Sequence, residues 1–106
     1  MALARFRAAE KYMKEQNTRG FYEEMLRGLW GYLGDKLNIP ASDLTKENVR
    51  ETLTRKGASV EDVERYVGLI TDCEYAQYAP SAGIHVEDAY LRGVEAISRL
   101  EAVINK

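Results

Sequence analysis

The chain has 106 residues, 45% of them hydrophobic and 30% charged, with a net charge of −2. That length and mix suit one folded domain with its own core and exclude a disordered tail. A single cysteine, Cys73, excludes an internal disulfide and a cysteine-based metal cluster. No apolar run approaches the roughly 20 residues that cross a bilayer, and the Met1 region mixes charge with apolar residues unlike a signal peptide, so a soluble chain is expected.

Hydrophobic periodicity predicts five helices in an all-α compact bundle. The first covers about residues 3–15. Leu3, Phe6, Ala9 and Met13 share one face, Arg5, Arg7, Lys11 and Lys14 lie mostly opposite, and Glu10 precedes Lys14 in the favourable i,i+4 order. The segment 17–20 breaks the pattern, and Asn17 or Thr18 can cap the next helix.

The second helix is expected over residues 19–37. Tyr22, Met25, Leu26, Leu29, Leu33 and Leu37 keep helical spacing, and Phe21, Trp30 and Tyr32 widen the stripe until most of the surface is apolar. Such breadth marks a central helix with contacts on several sides. It also carries Gly28, Gly31 and Gly34, each costing about 0.5–1 kcal/mol relative to Ala. Close approach of a neighbouring helix accounts for them, with fraying near Gly34 as the alternative.

Residues 38–43 read as a loop. A short third helix comes next over 46–56, with Thr45 at the N-cap, Leu44 and Val49 placed as a hydrophobic staple, and Val49 and Leu53 facing inward. Gly57 suits the left-handed position that ends it, with Arg55 and Lys56 complementing the dipole. Ser59 caps the fourth helix, whose first turns hold Glu61, Asp62 and Glu64. Its expected buried stripe is Val60, Val63, Val67, Ile70 and Cys73, with Tyr66, Leu69 and Ala76 alongside. Pro80 stops it, 81–85 is a turn, and the last helix spans 86–104 with Val86, Tyr90, Val94, Ile97, Leu100 and Ile104 inward.

No catalytic, cofactor-binding or metal-ligating constellation emerges from these residues. The only histidine, His85, falls in a turn, and Cys73 stands between Asp72 and Glu74, which oppose a reactive thiolate. A small enzyme would need Cys73 and His85 to meet. The acidic pairs Glu23-Glu24, Glu61-Asp62 and Glu87-Asp88 are assigned to first turns, where the helix dipole favours them. A helix-turn-helix built on helices three and four would present Glu61, Asp62 and Glu64 to phosphates, so no nucleic-acid partner is expected. Tyr22, Trp30 and Tyr90 read as core, whereas Tyr75 and Tyr78, near the end of the fourth helix, are the candidate interaction residues. Charge is uneven: residues 1–57 hold 11 Lys/Arg against 8 Asp/Glu, and residues 58–106 hold 4 against 9. A basic end near an anionic membrane surface is one consequence, two solvated helical surfaces the other.

Three blocks occur together in order: Phe21-Tyr22-Glu23-Glu24-Met25-Leu26-Arg27-Gly28-Leu29-Trp30-Gly31-Tyr32-Leu33-Gly34-Asp35-Lys36-Leu37-Asn38-Ile39-Pro40, then Leu44-Thr45-Lys46-Glu47-Asn48-Val49, then Cys73-Glu74-Tyr75-Ala76-Gln77-Tyr78-Ala79-Pro80. With them the chain resembles the C-terminal cytoplasmic region of BatD-type aerotolerance proteins of Bacteroides-like bacteria. The resemblance implies the soluble helical tail of a longer, single-pass membrane protein, on the cytoplasmic side of the inner membrane, after an extracytoplasmic part of β-sandwich character and a transmembrane helix. It further implies protein partners, namely von Willebrand A-type membrane proteins and a MoxR-type AAA+ ATPase, and no cofactor. The basic first half suits a membrane-proximal placement. The family often carries Arg after Cys-Glu-x-Ala where this chain has Gln77, so Glu74 needs another partner here. The alternative to the membrane-anchored module is a free-standing helical adaptor or regulator.

Overall fold

Capping side chains fix where most of the helices start. In the computed structural model, which describes residues 6–78 and 85–104, the elements are α1 (Arg7–Lys14), α2 (Thr18–Leu37), a 3-10 turn (Ala41–Asp43), α3 (Lys46–Arg55), α4 (Val60–Tyr78) and α5 (Val86–Ile104). The expected helix start at residue 3, the stop at Pro80 and the turn at 81–84 lie outside the described residues. Among the described residues every regular element is helical, as the periodicity predicts.

Asn17 caps α2 by accepting a hydrogen bond from the Gly20 N–H at 3.1 Å. The helix therefore starts at Thr18, and Arg19 and Gly20 belong to its first turn rather than to a break. The turn before it is shorter than expected. The Asn17 N–H reaches Tyr12 O and the Gln16 N–H reaches Met13 O, the Schellman pattern, with Gln16 left-handed at φ 60°. Gly57 does the same after α3, at φ 101°, its N–H bonded to Thr54 O and that of Ala58 to Leu53 O. Thr45 and Ser59 cap α3 and α4 by accepting from Asn48 N and Asp62 N, each at 3.1 Å. Asn38, left-handed at φ 59°, ends α2. That helix runs through Gly34 to Leu37, so it is not frayed there; a Cβ at Gly34 would stand 3.4 Å from Leu44 Cδ1 and 3.6 Å from Ile39 O, ordinary contacts with the segment that follows α2, so close approach of a neighbouring helix does not account for this glycine either.

The central position of α2 stems from its apolar breadth. It contacts each of the other four helices, burying Phe21, Tyr22, Met25, Gly28, Leu29, Tyr32, Leu33 and Leu37. The hydroxyl of Tyr66 on α4 is buried against it and donates to Leu29 O at 2.6 Å. Helices α4 and α5 run antiparallel: Asp62, early in α4, lies 3.7 Å from Arg99, late in α5, while Asp72 meets Arg92 at 3.0 Å.

Two stripes differ from expectation. In α5 the fully packed positions are Ala89, Gly93, Ala96, Ile97 and Leu100, and the bulkier Val86, Tyr90, Val94 and Ile104 form the edge of the core. The small residues let α5 sit close: a Cβ on Gly93 would stand 2.7 Å from Met25 Cε. In α4, Val60 is not part of the buried stripe but 71% exposed. Trp30 is likewise half-buried rather than central.

Candidate interaction face

Helix α4 forms because Ser59 caps it and Glu61 and Asp62 load its first turn with negative charge. Its inner arc, Val63, Tyr66, Val67, Leu69, Ile70, Cys73 and Ala76, is buried. The remaining face carries Val60, Glu64, Gly68, Thr71, Tyr75 and Tyr78, which recur at spacings of three and four and so share one side. Val60, Tyr75 and Tyr78 are 71%, 60% and 87% exposed. With Leu91 of α5 they are the large apolar side chains most open to solvent among the described residues. The sequence singled out Tyr75 and Tyr78 and missed Val60.

One flank of this face is built by α3. Glu64 takes both arms of the Arg50 guanidinium, at 2.8 and 3.2 Å, and Lys46 Nζ lies 2.6 Å from Glu74 Oε1. Lys46 is thus the partner of Glu74 in the fold. An open groove of about 620 Å³ between α3 and α4 is lined by Glu47, Arg50, Thr54, Val60, Val63 and Glu64, among others. The opposite flank is held by α5 through the Asp72–Arg92 pair. Outside its chain neighbours and the backbone of its own helix, Gly68, midway along the face, has no described heavy atom within 4 Å of the position its Cβ would take.

The other candidate groups occupy different environments. Cys73 is wholly buried, and burial pushes its thiol up to about 12, with Arg92 opposing and Asp72 and Glu74 adding to the rise. His85 is exposed just before α5. Among the described residues no group of three or more His, Cys, Asp or Glu is placed to hold a metal ion, and no helix is long and apolar enough to cross a membrane. Glu61-Asp62 and Glu87-Asp88 sit in the first turn of their helices, whereas Glu23-Glu24 lie one turn further in, in the second turn of α2, whose first turn holds no acidic residue. Arg27 is their partner instead, 3.9 Å from Glu23 and 3.1 Å from Glu24. Tyr22 is fully buried, and Tyr90 is half-buried with its hydroxyl donating to Glu10 at 3.2 Å.

No protein-family model, curated protein or solved structure matches this chain.

Proposed function

We propose that this domain is a non-enzymatic protein-interaction module that docks a cytoplasmic partner on the outer face of α4. The observation that carries the reading is the solvent exposure of Tyr75 and Tyr78 on a helix whose opposite side is fully packed. Aromatic side chains anchor interfaces because they bury a large area at little conformational cost. The setting is that of the resemblance: a BatD-type aerotolerance protein, anchored in the bacterial inner membrane by an upstream segment, with this domain on the cytoplasmic side. The partners to test are the cognate MoxR-type AAA+ ATPase and von Willebrand A-type membrane proteins.

Titration of the domain against each of these proteins tests the reading. Binding to at least one is expected, weakened about ten-fold or more by Tyr75→Asp with Tyr78→Asp. Both positions are solvent-exposed, so the doubly substituted domain keeps its helical circular dichroism. Binding to none of them, or binding indifferent to both tyrosines, would remove the reading. The upstream reading frame separates the anchored module from a free-standing adaptor: a transmembrane segment preceding Met1 belongs to the first and a true start codon to the second.

A further inference from the structure

On the basis of the docking reading, we propose that the segment which docks is a basic amphipathic helix, held at the end of the α4–α5 hairpin where Tyr75, Tyr78 and Leu91 stand beside Glu87 and Asp88. The two helices are antiparallel, with Asp72 against Arg92 at 3.0 Å. Tyr75 lies one turn beyond Asp72 and Asp88 about one turn before Arg92, so the tail of α4 and the head of α5 share one end. Tyr75, Tyr78 and Leu91 place exposed apolar surface there, on both helices. Glu87 and Asp88 are exposed as well and precede Leu91 by four and three residues, on the same side of α5. From this end a groove of about 330 Å³ runs on between the helices, lined by Arg65, Arg92, Glu95 and Ala96.

Charge selects the occupant. Every arginine of α3, α4 and α5 is already engaged by a carboxylate of these helices: Arg50 by Glu64, Arg55 by Glu51, Arg65 by Asp62, Arg92 by Asp72, and Arg99 by Asp62 and Glu95. Lys46 is likewise taken by Glu74. Glu87 and Asp88 form no ion pair among the described residues. The N-terminus of α5 beside them offsets about half an elementary charge, so most of their negative charge faces solvent. A Lys or Arg of the incoming helix meets that excess, and its stem or guanidinium can lie over a tyrosine ring. The apolar stripe of the same helix covers Tyr75, Tyr78 and Leu91. An acidic helix would bring like charges together at this end, which penalises the wrong partner.

The probe is a synthetic amphipathic peptide about three turns long, with leucine on one face and lysine and arginine on the other, and a twin in which glutamate replaces the cations. In fluorescence-anisotropy titrations with the full chain, the basic peptide should bind about ten-fold or more tightly than the twin, and more weakly as salt rises. Glu87→Gln with Asp88→Asn removes two exposed ion pairs and should weaken binding about five-fold or more, with helical circular dichroism unchanged. Glu61→Gln with Glu101→Gln alters net charge equally, but lies roughly 20 Å away along the hairpin, beyond the Debye length, and should change affinity less than about two-fold. No binding of the basic peptide, no preference over the twin, equal loss from the two neutralised pairs, or indifference to Tyr75→Asp with Tyr78→Asp would overturn the inference. A partner protein that binds through both tyrosines, unmoved by salt and by the Glu87 and Asp88 substitutions, removes only this inference. A chain that binds the basic peptide as described and none of the partner proteins removes only the docking of those partners.

Discussion

A methyl group added at Gly93 would stand 2.7 Å from Met25 Cε and 3.0 Å from Phe6 Cζ, and both neighbours are fully buried. At Gly68 it would meet no described atom within 4 Å beyond its chain neighbours and its own helix's backbone. Alanine favours both helices intrinsically by about 0.5–1 kcal/mol, so the sign at each site is decided by packing. Gly68→Ala should stabilise the monomer by about that amount. Gly93→Ala should destabilise it by about 1 kcal/mol or more, because the Phe6 ring cannot bend aside and over-packing costs exceed the propensity gain. Urea denaturation of both variants checks the opposite signs. Cys73 gives a second residue-scale expectation. Its thiol ionises near 9.0 when unperturbed and at about 12 in the fold, chiefly because burial disfavours the thiolate. Between those values the unfolded chain has lost a proton that the folded chain keeps. Stability therefore falls as pH rises above 9, by about 1.4 kcal/mol per unit at the steepest, and the effect is absent below that pH. Tyr22 and Tyr90, both raised from 10.0 with burial as the main cause, act in the same direction at higher pH. The test is a difference of slopes: between pH 9 and 10, Cys73→Ala should lose stability more slowly than the parent, whatever its stability at neutral pH.

Among the elements, α3 is short and touches chiefly α4, so its anchorage is the weakest in the bundle. Two kinds of contact hold it. Val49 and Leu53 are fully buried, while the Lys46–Glu74 and Arg50–Glu64 pairs are part-exposed. Exposed pairs contribute about 0–1 kcal/mol and are screened by salt, whereas emptying a buried leucine site costs about 2–5 kcal/mol. A double-mutant cycle on Lys46→Met and Glu74→Gln should therefore return a coupling under about 1 kcal/mol that shrinks at high salt, with Leu53→Ala far more damaging. Helix boundaries were legible because caps act locally: Thr45, Ser59 and Gly57 each signal an end within four residues of it. Gln16 was not legible, since a left-handed glutamine carries no sequence mark. The inner face of α5 was missed in part because Ala89, Gly93 and Ala96 pack through their smallness, which a search for bulky apolar residues passes over. Val60 was misplaced for a geometric reason. Its spacing to Val63 and Val67 puts it at the edge of the buried arc, and there the groove between α3 and α4 opens instead of closing over it. Of the candidate face, the tyrosines could be picked out by their position at the tail of an apolar stripe. The unused space beside Gly68 could not, because only coordinates tell an open glycine from a close-packed one.

At the scale of the whole molecule, the buried side chains form a single cluster from Phe6 to Leu100, and α2 touches every other helix. No helix can leave without uncovering part of that cluster, which favours one cooperative transition for a domain of this size. Cys73 provides a reporter for it. The thiol is fully buried, lies on a helix packed against α2, α3 and α5, and is protonated at neutral pH. A thiol reagent can reach it only through an opening of the fold. If α4 and α5 separated from α2 as a sub-unit, labelling would report a free energy below that of global unfolding, with a shallower dependence on denaturant. The continuous core argues against such a unit. Labelling of Cys73 at rising urea, in the regime where reclosing outpaces reaction, should give an opening free energy and urea slope equal to those from circular dichroism. A slope well below the global value would show that the α4–α5 hairpin opens on its own.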